Sequence, residues 1–151
     1  MYGNILMVHA SAMGMAFLLF VAREVLFISA WRGQIRAAKV ALIANKLAGL
    51  LIGIGIAGGI ALVILGSWPI LTPWLLTSFT LIAILMAVER KFVGPWTAQV
   101  HPALLGSDKW EVQRFFGDKR ALCGRLTTIG LFALLIALMT IKPDLAAIFG
   151  A

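Results

Sequence analysis

The chain has 151 residues, 62% of them hydrophobic and only 13% charged. An average soluble domain carries about a quarter charged residues, so this composition excludes an ordinary soluble enzyme and points to a membrane protein. The net charge of +7 follows the pattern of membrane topology, described below, and gives no reason to invoke nucleic acid. Cys123 is the only cysteine, which excludes an intrachain disulfide, a Cys-based zinc site and an iron–sulfur cluster.

A bilayer crossing needs about 20 apolar residues, and the sequence predicts four, at 5–31, 38–66, 70–87 and 126–148. The first, LMVHASAMGMAFLLFVAREVLF, has no basic N-region and runs too long for a cleavable signal. At 100° per residue, His9, Met13, Phe20, Arg23 and Phe27 share one face of this helix, while Met7 and Met15 point elsewhere. His9 lies about 21 Å from Arg23 along the axis. A short basic link, WRGQIRAAK, makes the first two spans antiparallel neighbours.

The second span contains Lys46 and six glycines, with Gly49–Gly53 and Gly55–Gly59 at the small-xxx-small spacing. These glycines suit either tight helix packing or a groove for a flat ligand such as a porphyrin. Ionisable groups in hydrocarbon persist when paired or working. Arg23, Glu24 and Lys46 fall at similar depth, which predicts an intramembrane network with a Glu24–Lys46 ion pair and Arg23 facing Glu89 or the interior. Such a network holds helix register, conducts protons or clamps a ligand's carboxylates.

The next link, SWPILTPW, stops the helices with Pro69 and Pro73, and Trp68 and Trp74 suit a membrane interface. After the third span, residues 88–125 form the one sizeable link. Within it, DKWEVQRFFGDKR mixes charges with Trp110, Val112, Phe115 and Phe116 and reads as an amphipathic helix on the cytoplasmic leaflet. Arg32, Arg36 and Lys39 crowd the first link, and seven further cations crowd the third, from Arg90 to Arg125. The other side holds only Lys142, balanced by Asp144. The positive-inside rule then puts both termini outside, on the periplasmic side.

The fourth span closes with Met139 and Lys142, near His9 in depth. A neutral imidazole with a nearby thioether suits haem iron or copper(I), so His9 is the candidate metal ligand, with Met13, Met139 and Lys142 as candidate partners. Copper through Met7, His9, Met13 and Met15 is disfavoured, because Met7 and Met15 do not share the His9 face. His101 falls on the opposite side of the bilayer and cannot join His9 on one haem. No Ser-His-Asp triad, phosphate loop, paired-carboxylate site or H-E-x-x-H helix is present, which argues against hydrolase and nucleotide chemistry.

The layout resembles a group of small four-span bacterial membrane proteins. The group includes the membrane protoporphyrinogen oxidase that uses b-type haem, the copper-resistance D domain and related integral membrane proteins. The resemblance rests on the His and the Arg of span one, the Gly-rich span two, and the closing LIALMTIKPDL. It implies roles in haem and substrate chemistry for His9 and Lys142, with Arg23 as the span-one arginine. The chain departs from the oxidase where it carries Met13-Gly14 and Ala22-Arg23, and it lacks the oxidase's Arg-rich stretch before the last span.

The expectation is therefore a single all-α, four-helix bundle over 1–151 in a bacterial inner membrane. It binds haem b as a redox protein. Alternatively it is a non-catalytic accessory or scaffolding subunit of a larger respiratory or photosynthetic complex. Its expected partners are the lipid bilayer and either other membrane subunits or further copies of itself.

Overall fold

A computed structural model describes residues 1–106 and 114–141. The described residues are helical throughout, without strands: α1 Tyr2–Trp31, α2 Ile35–Leu65, α3 Pro73–Val88, α4 Gly94–Gly106 and α5 Lys119–Ile141. A π-helical turn, Glu89–Val93, joins α3 to α4 without a break. Ala and Leu, strong helix formers, are frequent in α1 and α2, and helix is the conformation that satisfies every backbone group within one segment.

The turns follow from local chemistry. Gly33, at φ +95°, ends α1, with the Gln34 N–H donating to Ser29 O and the Gly33 N–H to Ala30 O. This is the left-handed cap that glycine adopts without steric cost. Ser67, at φ 51°, closes α2 through the same pair of bonds, from Trp68 to Val63 O and from Ser67 to Ile64 O. Pro73 starts α3 behind an extended Thr72, as proline's missing N–H allows at a helix N-terminus.

Three helices, α1, α2 and α5, are long and apolar enough to cross a membrane. In their most apolar windows only 22%, 17% and 28% of the residues are buried. Most of the apolar surface therefore faces outward, the reverse of a soluble bundle. Arg23, Arg125, Ser78 and Thr128 are buried instead.

The boundaries of α1 and α2 lie close to those expected. Helix α5 starts at Lys119 rather than at 126, so Arg125 belongs to the bundle; residues 142–148 lie outside the described residues. Helix α3 has 16 residues, about 24 Å, and is short of a full crossing by itself.

The expected link after α3 is largely helix among the described residues. Pro95 has no N–H to give to Lys91, and its ring crowds that carbonyl. The chain absorbs the defect by slipping one residue, so that the Gly94 N–H bonds Glu89 O, five residues back. The helix then continues. Buried Val93, Trp96, Val100, Ala103 and Leu104 recur at helical spacing, and α4 packs this stripe against α2.

Helices α1 and α2 form the most extensive contact, an antiparallel pair; α3 packs on α5, and α5 on α1. The pair is close because α2 turns a small-residue face, Ala37, Ala38, Ala41, Ala44 and Ala48, toward the interior. A central core joins Met13, Ala16, Phe20, Leu85, Phe132 and Leu135. A second core, at the α1–α2 turn, joins Phe27, Ala38, Trp96 and Leu104, with Phe115 and Phe116 packed on it. The first six residues of the expected interfacial helix, Trp110 and Val112 among them, lie outside the described residues; its Phe115 and Phe116 pack onto the bundle.

Candidate functional site

Two polar layers occupy the interior, one near each end. The layers are called outer and inner after the topology expected from the charges; the outer one is a cleft of about 250 Å³ between α1, α2, α3 and α5. Its wall on α1 runs from Tyr2 to Gly14, about 18 Å along the axis. The lining is mainly aliphatic, with His9, Met13 and Met139 within it and Trp68 and Trp74 also lining it.

His9 is fixed by α2. Its Nδ1 lies 2.7 Å from the carbonyl oxygen of Gly55. A carbonyl only accepts, so Nδ1 carries the proton and donates. In the tautomer with one proton, that bond leaves the lone pair on Nε2. A backbone carbonyl on one ring nitrogen is the common means of orienting a metal-binding histidine through the other.

Glycines make this approach feasible. A Cβ at Gly58 would stand 3.3 Å from His9 Cβ, and one at Gly59 3.2 Å from His9 Cε1. At Gly55 it would overlap the Met13 sulfur and reach 2.9 Å from Met13 Cγ. Gly55, Gly58 and Gly59 thus shape the seat of His9 and Met13. Gly49 and Gly53 have no heavy atom within 4 Å of such a Cβ and play no part in it.

The inner layer is an ion cluster of α1, α5 and the π-turn. Arg23 Nε donates to Glu24 Oε1 at 3.0 Å, and Arg125 Nε donates to Glu24 Oε2 at 3.0 Å. Arg23 Nη1 also bonds Asn45 Oδ1 and lies 3.7 Å from Glu89 Oε1. Both guanidiniums are buried, at 1% and 3% exposure. Aromatic faces also pack against them: Arg23 lies 4.7 Å from the Phe20 ring, and Arg125 lies 4.4 Å from Trp96 and 5.0 Å from Phe27. Arg23 Nη2 and Arg125 Nη1 have no hydrogen-bond partner among the described residues. Two arginines balance two glutamates, so the layer is close to neutral.

Of the residues singled out from the sequence, His9, Met13 and Met139 meet on one cleft. Lys142 lies outside the described residues, two positions beyond Thr140 of the cleft wall. Arg23, Glu24 and Glu89 meet in the inner cluster, but Lys46 does not. Lys46 is exposed on α2 and makes no ion pair among the described residues. Depth matched it to Glu24, yet its direction around α2 carries it away from the Ala41–Ala44–Ala48 face.

Arg125 takes the place expected for Lys46. Its signal was the spacing of Ala121, Arg125, Thr128, Phe132 and Leu135, a buried stripe of α5. Met7 and Met15 are 70% and 53% exposed, so the four-residue copper set is not assembled. His101 is exposed on α4, at the inner end. Among the described residues, no three His, Cys, Asp or Glu side chains are grouped to hold a metal ion. Comparison of the chain with family models, curated proteins and solved structures finds no match.

Proposed function

We propose that the protein is a small redox protein of the bacterial inner membrane that binds b-type haem in the outer cleft, with His9 Nε2 as an axial ligand. The chain crosses the bilayer four times in this reading, α3 and the π-turn together making the third crossing. Both termini lie on the periplasmic side. The observation that carries the proposal is the His9–Gly55 hydrogen bond, which leaves Nε2 as the free donor in an apolar cleft also lined by two thioethers.

The donors on the cleft suit a haem: His9, with Met13 or Met139, would hold its iron. The long, narrow, aliphatic cleft suits the edge of a planar ring. Its volume is below the 300–1,000 Å³ of pockets that engulf their ligands, so the macrocycle would be only partly enclosed. Bound there, haem supplies one-electron transfer. The chain's part is to hold the imidazole in one tautomer, offer sulfur, and exclude water by its aliphatic walls. Lys142, the remaining candidate partner of His9, lies outside the described residues.

The test is the absorption spectrum of the detergent-purified protein, oxidised and then dithionite-reduced. A Soret band with sharpened reduced bands, lost in His9→Ala, is expected. A featureless spectrum from haem-replete cells would overturn the proposal and leave the accessory-subunit role, to be pursued through what copurifies.

A further inference from the structure

We infer that the exposed face of α2 carrying Lys39 and Lys46 seats an anionic phospholipid headgroup. The inference rests on α2 crossing a bilayer and is independent of haem binding. Lys46 stands eleven positions into α2, flanked by exposed Ile43, Leu47 and Leu50. An ammonium in such an apolar sleeve is costly unless it snorkels or is neutralised. No acid among the described residues pairs with it.

Lys39 is also exposed. The two lysines are seven positions apart, so at 100° per residue they lie about 20° apart around the helix and about 10 Å apart along it. Helical side chains tilt toward the N-terminus, so the flexible stem of Lys46 lets its charge reach toward Lys39 and the basic end, where Arg32 and Arg36 are exposed as well. Two cations on one apolar face, with no ion-pair partner among the described residues, complement a phosphate group at the membrane boundary. On the far side of Lys46, the same face continues as Gly49 and Gly53, open for at least 4 Å. That furrow runs in the direction an acyl chain takes from such a headgroup.

A second copy of the chain is the poorer occupant. A two-fold contact through this face would set Lys39 and Lys46 against their own symmetry mates. Like charges in a medium of low dielectric repel strongly.

The test reconstitutes the purified protein in vesicles of phosphatidylcholine with phosphatidylglycerol. Lipid retained after extraction is counted by native mass spectrometry. The wild type should retain phosphatidylglycerol in preference to phosphatidylcholine. Lys46→Met should weaken that retention about fivefold, and Lys39→Met with Lys46→Met further, at about fivefold per lysine. Arg90→Gln, on another part of the basic end, should leave it unchanged.

Equal retention of both lipids by the wild type would overturn the inference. So would an equal fall in Lys46→Met and Arg90→Gln, which would mean diffuse attraction rather than a seat. A dimer or a copurifying acidic protein lost on Lys46→Met would overturn it in favour of a protein contact. The absorption spectrum should not change in any of these variants, which separates this outcome from that of the haem proposal.

Discussion

Glu24 gives one carboxylate oxygen to each of two buried guanidiniums, at 3.0 Å in both cases. Removing one partner from a buried ion pair is more damaging than removing the pair, because a charge is left without compensation. Glu24→Leu should therefore cost about 3–5 kcal/mol, read as a lowered unfolding midpoint in detergent. Arg125→Leu alone should also destabilise, since it empties the space between Phe27 and Trp96 as well. The double variant leaves Arg23 with Glu89 and should cost clearly less than the sum of the two. Strict additivity would show that the two side chains do not interact. At this scale the sequence was partly legible. Helical depth brought Arg23, Glu24 and Glu89 to one level, but depth is blind to direction. Lys46 and Arg125 are both cations near that level, and only the stripe each belongs to separates the outward one from the buried one.

Within α2, chemically identical glycines divide by what stands opposite them. Gly55 faces Met13, whose sulfur would overlap a Cβ there, and its own carbonyl holds His9. Gly55→Ala should cost about 1–3 kcal/mol as an overpacked contact and disturb the His9 orientation. Gly49→Ala and Gly53→Ala meet open space and should be neutral or stabilising by up to about 1 kcal/mol, through helix propensity alone. Thermal unfolding of the three single variants checks this, and a common response at all three would refute the division. The glycine spacing in the sequence flagged both pairs as close-packing motifs without saying which meets α1. The join of α3 to α4 was hidden for a different reason. Glu89, Arg90 and Lys91 end the apolar run, and Gly94-Pro95 reads as a break. A π-turn lets the helix pass a proline by giving up one register position, a rearrangement that no local propensity announces.

The whole molecule has two unlike ends. Exposed Arg32, Arg36, Lys39, Arg90, Lys91, Lys119 and Arg120 gather where α1 turns into α2, the π-turn lies and α5 begins. The other end has Tyr2, Trp68 and Trp74, with Trp68 and Trp74 in edge-to-face contact at 5.8 Å. Cations are retained on the cytoplasmic side and so orient a bundle, whereas Trp and Tyr mark a membrane interface at either face. The proposed orientation follows: the turn at 32–34 faces the cytoplasm and the link at 66–72 faces the periplasm. Cys123 is exposed in α5, so the assay starts from Cys123→Ser. In that background, a cysteine placed by Ser67→Cys should react with a membrane-impermeant maleimide in intact cells. One placed by Gln34→Cys should react only after permeabilisation. The opposite pattern would invert the bundle and put the His9 cleft on the cytoplasmic side, where a haem there would exchange electrons with cytoplasmic rather than periplasmic partners. Labelling of both sites in intact cells would mean that α2 does not cross the bilayer, and both the lipid seat on its Lys46 face and the four-crossing reading would fall together.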